Sequence, residues 1–435
     1  MVADSLTSRS SDSPEEIQTF YPPKQKPLMT RLVQSISYPL ARVLYKFRIS
    51  VSESDVGKVR AVDGSRLVFV CNHPTMEDGI SLFVLSTRLG QLFHYVVAYE
   101  SFKGLMGWFI QRLGCYSIRR GVGDRSSISQ TLALLKAPQC RLVIFPEGGC
   151  SYQNDTIMPF RSGAIQLPLS VLAQLAKKSP NAIPDFYVIP LSLKYRYMQP
   201  MHRVIEQLLD RLEAQLKLSP PASSADSVIQ AGGQAQAKDI FAAASADYYR
   251  RLRQIAHQVI LQIEDEAGLP HLDTLNWNVR IERLKNVFID KCEAALNVEP
   301  NLNLPIRERV YRVQSLLEEM ELAEKERFSA QGSGSEWDDL YWASVRLLNF
   351  DAIYDGYVAE SPTPERFLDT LTRLEREVFH IEHAQPKAPR RACFHIGDPI
   401  NLKDYLADYK RDRSGTIDSL AEELRSLMQT NLDKC

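Results

Sequence analysis

The chain has 435 residues, 44% of them apolar and 24% charged, with 52 basic side chains against 53 acidic ones. Those figures fit a globular chain of about three domain-sized units. They exclude the overall basic field expected of a general nucleic-acid binder. The seven cysteines are scattered and form no C-x-x-C pair, and the eight histidines include no H-E-x-x-H. This pattern suits reduced thiols rather than a disulfide framework, and it predicts no metal site.

Residues 1–27 lack the apolar core of a secretory signal and read as a loose, Ser-rich tail. Leu28, Leu32, Ile36, Leu40, Val43 and Phe47 then recur at helical spacing, with Arg31, Arg42 and Lys46 on the polar side. The segment 28–48 fits two pictures: an amphipathic helix in a lipid headgroup layer, or an ordinary helix covering the core with snorkelling cations. Pattern alone tilts toward the second. Pro39 is expected to kink or divide this helix. The longest apolar stretch, 80–99, is broken by Arg88 and Gly90 and is too interrupted to span a membrane.

From about 49 to 197 the texture alternates. SRLVFVCN, HYVVAYES, CYSIRR, CRLVIFPEG and DFYVIPLSLKY read as strands, with helices from near Thr75, over FKGLMGWFIQRLG and over SSISQTLALLK. Alternation of this kind predicts an α/β fold, a mostly parallel sheet flanked by helices, with functional loops at strand C-termini. Residues 198–390 change to helical, charged sequence with low-complexity linkers near 218–237 and 329–336, and read as a large helical insertion. The final segment, 391–435, returns as a strand and an amphipathic helix that complete the core. No internal repeat is evident.

Four segments fall at or just beyond predicted strand ends: CNHPTMED, GCYSIRRG, IFPEGGCS and VIPLSL. In the first, Pro74 keeps His73 out of the following helix. Asp78 is then placed to contact the ring, fix its tautomer and leave Nε2 as a base. Thr75 and Asp78 also fit a capping box, and Glu77 is an alternative partner for the histidine. In the third segment, backbone N–H groups of the glycine turn and Glu147 suit a polar pocket. Arg119 and Arg120 offer guanidinium forks for phosphate, with Lys103, Arg112 and Arg161 as further cations.

Taken together, these blocks resemble the glycerolipid acyltransferases of the lysophosphatidic acid and glycerol-3-phosphate acyltransferase superfamily. Asn72 to Asp78 is similar to that family's N-H-x-x-x-x-D block, Gly114 to Arg120 to its second, Phe145 to Gly148 to its third and Val188 to Leu193 to its fourth. Pro159 to Ala164 and Phe394 to Ile400 resemble two further family runs. The resemblance spans about 66–197 and 391–430. It implies His73 as general base, Asp78 as its orienter, and Arg119, Arg120, Phe145, Glu147, Gly148, Gly149 and Arg161 around the acceptor headgroup.

The resemblance further implies no cofactor and no covalent acyl-enzyme. The donor would be a thioester, acyl-CoA or acyl carrier protein, and the acceptor a lysophospholipid or glycerol phosphate. The expected partners are these substrates and a membrane surface, with no nucleic acid. The expected location is the cytoplasm, peripheral on the inner face of a membrane. One departure stands out: Cys150 occupies the place where the family has an arginine. Loss of that bidentate contact weakens phosphate binding by about 1.5–3 kcal/mol unless another cation substitutes. Without a substitute the acceptor would be a non-phosphate or amine lipid. A non-catalytic membrane-surface scaffold is the third expectation.

Overall fold

The computed structural model describes residues 20–218, 237–272, 275–327, 334–351 and 353–435. Eight strands form one sheet: β1 (Phe47–Ser50), β2 (Arg66–Cys71), β3 (His94–Ala98), β4 (Cys115–Ile118), β5 (Arg141–Ile144), β6 (Phe186–Tyr197), β7 (Arg390–Ile396) and β8 (Ile400–Asn401). Their order is β1-β7-β6-β2-β5-β3-β4, with β8 also on β6. Strands β6, β2, β5, β3 and β4 are mutually parallel, while β7 and β8 run antiparallel to β6. The expected mostly parallel α/β sheet is therefore present.

Helices cover both faces. On one side lie α1 (Pro27–Leu44), α2 (Glu53–Ala61) and α3 (Asp78–Leu89). Near the β3–β4 edge is α4 (Gly104–Arg112), and the opposite face carries α5 (Arg125–Lys136) and α6 (Gly163–Lys178). Apolar residues of β2, β5 and β6 alternate between the two cores: Val68 and Val70 join one, Leu67 and Phe69 the other. A buried parallel strand shows this as a continuous apolar run rather than an alternating one. Pro190 sits inside β6 because its missing N–H falls between the pairings to β8, which include Val188, and those to β7, which begin at Leu191.

Three sequence expectations need correction. Residues 20–26, read as part of the tail, are laid against the core, with the Lys24 N–H donating to the Gln111 carbonyl and the Ser117 N–H to that of Tyr21; the rest of that segment lies outside the described residues. Pro39 does not divide α1, which is continuous; the proline is exposed, so the carbonyl it leaves unbonded faces solvent. The helix expected from Thr75 starts at Asp78, because Thr75 is spent on hydrogen bonds to that residue.

The insertion leaves the sheet at the end of β6 and returns at the start of β7, whose end residues Tyr197 and Arg390 are partners. It comprises α7 (His202–Gln215), α8 (Ala237–Ala267), α9 (Trp277–Ala295), α10 (Ile306–Arg327), α11 (Gly334–Asp351), α12 (Tyr357–Glu360) and α13 (Pro364–Val378), around a separate apolar core. The chain closes with α14 (Leu406–Arg411) and α15 (Arg413–Asp433) on the sheet. The linkers read near 218–237 and 329–336 lie almost wholly outside the described residues.

Inside the insertion there is a repeat that the sequence reading missed. Arg251, Arg280 and Arg309 are spaced 29 residues apart. Each forms a bidentate ion pair with a buried glutamate near the end of the preceding helix: Glu213, Glu264 and Glu293. Each of those helices then ends alike, on a left-handed residue (Lys217, Gly268, Asn297), with the next N–H donating to the glutamate's carbonyl. Ile255, Leu284 and Val313 fill matching core positions. Apolar spacing alone hides this unit, since its signature is a charge pair between neighbouring helices.

Candidate active site

The sheet places the first and third sequence blocks side by side. Strands β2 and β5 are adjacent and parallel, with Val70 opposite Ile144. Asn72–His73 and Phe145–Glu147 therefore emerge at the same edge, where a parallel sheet presents its ligand loops. The side chain of Asn72 bridges to the Leu193 backbone on β6, with bonds of 2.9 and 2.7 Å that fix the loop's exit.

His73 Nδ1 lies 2.7 Å from Asp78 Oδ2. Asp78 is fully buried. It also accepts from the Thr75 N–H at 2.9 Å, the Thr75 hydroxyl at 2.8 Å and the Tyr195 hydroxyl at 2.8 Å. The capping role and the histidine contact are thus held by one carboxylate. Glu77, the alternative partner, turns the other way, 3.5 Å from Arg390. Thr75 was read from HPTMED as the capping partner of Asp78, whereas Tyr195, one aromatic in a buried strand, was missed by sequence reasoning.

The His73 ring stacks on Phe145 with centroids 4.3 Å apart, and its side chain keeps 18% exposure. Glu147 is buried, accepts from the His73 N–H at 3.3 Å, and its Oε2 has no hydrogen-bond partner. Burial pushes its carboxyl up to about 8, against the pull of the His73 N–H and the Arg307 charge. The Ser151 N–H donates to the His73 carbonyl at 2.8 Å, knitting the two loops together. Burial drives the Cys150 thiol well above its usual range, so it is no thiolate nucleophile.

Of the expected cations, Arg161 lies on the third loop and Arg120 is linked to it through Tyr311. Gly148 is left-handed (φ 75°), and a Cβ there would collide with the Arg161 guanidinium; a Cβ on Gly149 would meet the Tyr311 hydroxyl. Arg307 donates to the Gly149 carbonyl at 3.2 Å, and Arg373 bonds the Ser151 and Tyr152 carbonyls. Arg120 lies over the Tyr311 ring at 4.3 Å, and Arg119 reaches Glu319 at 2.7 Å. Arg112 is set apart, stacked on Trp108 of α4. Arg307, Tyr311 and Arg373 come from the insertion, so no motif in the core announced them.

A histidine held by a buried carboxylate stands beside the buried Glu147 and several guanidinium groups, an arrangement suited to drawing a proton from a hydroxyl. Residues 50–194 match the family model described as Acyltransferase. Over those residues the α/β core is an acyltransferase-family domain, which supports acyltransferase activity in general. The match ends within β6 and includes none of the insertion. No curated protein matches the chain.

Proposed function

We propose that the protein is an O-acyltransferase that moves a fatty acyl group from acyl-CoA or acyl carrier protein to a glycerol phosphate acceptor, a 1-acylglycerol 3-phosphate or glycerol 3-phosphate, in phospholipid synthesis. The observation that carries this reading is the 2.7 Å His73–Asp78 contact at the edge where Phe145 and Glu147 emerge. In the proposed step, His73 Nε2 takes the acceptor's hydroxyl proton as that oxygen attacks the thioester carbonyl. A carbon–oxygen bond forms, the carbon–sulfur bond breaks, and the imidazolium returns its proton to the leaving thiolate. Asp78 stabilises the imidazolium, and the unpartnered Oε2 of Glu147 is available to a second acceptor hydroxyl.

General base catalysis, worth about 10²–10⁴-fold on top of positioning, makes His73 indispensable on this reading. His73→Ala should abolish thiol release from acyl-CoA in the presence of acceptor while leaving the melting temperature nearly unchanged. A variant retaining most of its activity removes His73 from the mechanism. A second reading, a non-phosphate or amine acceptor, draws on Cys150 and on the pairing of Arg119 and Arg161 with Glu319 and Glu308. A panel of acceptors with one acyl-CoA separates the two.

Attachment to a membrane surface, from the cytoplasmic side, is part of the same proposal. Helix α1 is inverted relative to a core-covering helix: it buries Thr30, Gln34 and Ser37 and exposes Leu28 (89%), Leu32, Ile36 and Val43 (73%). Gln34 donates to Ser86 Oγ and the Gln91 carbonyl, at 2.8 and 2.9 Å. Helix α4, joined to the start of α1 through the Lys26 N–H and the Arg112 carbonyl, exposes Leu105 (88%), Met106 and Trp108. An apolar face turned outward beside basic residues fits a headgroup layer. Among the described residues, no helix is long and apolar enough to cross a membrane.

A further inference from the structure

Helix α10 has two unlike faces. One carries Arg309, Val310, Val313 and Leu317 into the insertion's core. The other carries Glu308, Tyr311 and Glu319, at the three- and four-residue steps that align side chains along a helix, and it lies on the catalytic core. There Glu308 holds Arg161 at 2.7 Å, Tyr311 lies under Arg120 and against Gly149, and Glu319 holds Arg119 at 2.7 Å. The backbone at Tyr311 and Arg312 closes directly on Gly121, where a Cβ would have no room.

The repeat does not require these side chains. One unit earlier, the positions matching Glu308, Tyr311 and Glu319 hold Val279, Glu282 and Asp290. Two units earlier they hold Arg250, Arg253 and Leu261. The arginine, its glutamate partner on the preceding helix and the core apolar position recur, but this row does not. The acid–aromatic–acid row is therefore a property of α10 toward the catalytic core, not of the bundle that carries it.

We propose that α10 is a strap closing the acceptor headgroup site, with Glu308 occupying, on Arg161 beside Gly148, the place that an acceptor's phosphate takes in turnover, and Glu319 on Arg119, about 16 Å further along the helix, serving as the strap's second anchor. This rests on the phosphate-acceptor reading above and assigns the insertion its role there. A phosphomonoester carries about 1.5 to 2 negative charges and three strong acceptor oxygens. It displaces a single carboxylate from a guanidinium, whereas a neutral lipid does not. The strap therefore sets how much phosphate-bearing acceptor is needed to open the site, and keeps the site shut without it.

The test compares the wild-type chain with the E308Q/E319Q and E308D/E319D variants, in acyl-CoA turnover with 1-acylglycerol 3-phosphate and in calorimetric binding of glycerol 3-phosphate. Removing two partly exposed ion pairs should lower KM about three- to tenfold with kcat nearly unchanged, and the aspartate pair should restore the wild-type KM. A KM that stays the same or rises in an active E308Q/E319Q variant overturns the strap and leaves the acyl-transfer reading standing. If the wild type transfers acyl groups to no phosphate acceptor, that reading fails and the strap is judged by binding alone. Tighter glycerol 3-phosphate binding in E308Q/E319Q then supports it, and equal binding, or none in either protein, overturns it.

Discussion

Asp78 accepts four hydrogen bonds, from His73, from Thr75 twice and from Tyr195, so its two oxygens are committed in direction before any substrate arrives. An amide in its place presents N–H to groups that are themselves donors. Asp78→Asn should lower kcat by about 10²–10⁴-fold, with KM for acceptor changing far less. Tyr195→Phe removes one of the four bonds and should cost about 1 kcal/mol of stability, measured by denaturant unfolding, with only a small loss of rate. Glu147 and Asp369 supply a pH signature. Burial pushes the Glu147 carboxyl up to about 8 and that of Asp369 up to about 7. The folded state then binds more protons than the unfolded one, and stability falls as pH rises from about 4.5 through 7 and 8. Each group contributes up to about 1.4 kcal/mol per pH unit in its window. In a thermal-melt series from pH 5 to 9, Glu147→Gln should flatten the upper part of the decline; an unchanged slope would remove Glu147 from that role.

At the scale of elements, what the sequence reveals depends on whether the signal is local. The strands of the core were legible because they are mostly apolar runs ended by turn residues, and the first and third motif blocks because each begins where such a run ends. Strand β1 and helix α2 were not read: four residues and a short, polar-faced helix carry too little pattern. Helix α1 was legible as amphipathic but not in its orientation, since a hydrophobic stripe looks the same whether it faces a core or a lipid. Its packing face is polar and matched by Ser86, Thr87 and the Gln91 carbonyl, which leaves the apolar stripe outside. Replacing Leu28, Leu32 and Ile36 by serine should abolish flotation with anionic liposomes and leave the melting temperature nearly unchanged. Undiminished flotation would show that α1 is not the anchor.

For the molecule as a whole, the insertion behaves as a small repeat array attached at the paired ends of two adjacent strands. Its Arg–Glu pairs lie between successive helices, and Arg280 is almost wholly buried. Glu264→Ala should therefore destabilise the insertion by about 3–5 kcal/mol, while the double change of Arg280→Met with Glu264→Leu should cost much less. A denaturant series that follows an insertion tryptophan, such as Trp277, reads both. The same array turns Arg307, Tyr311 and Arg373 onto the third loop, a part of the site that no core motif could announce because its residues lie more than 150 positions further along the chain.

The most direct measurement is release of free thiol from acyl-CoA by the purified full chain with 1-acylglycerol 3-phosphate, run beside His73→Ala. We predict steady release that requires acceptor and falls to background in the variant, with both proteins melting at the same temperature. Equal release by the two proteins would contradict the assignment of residue 73 as the proton acceptor.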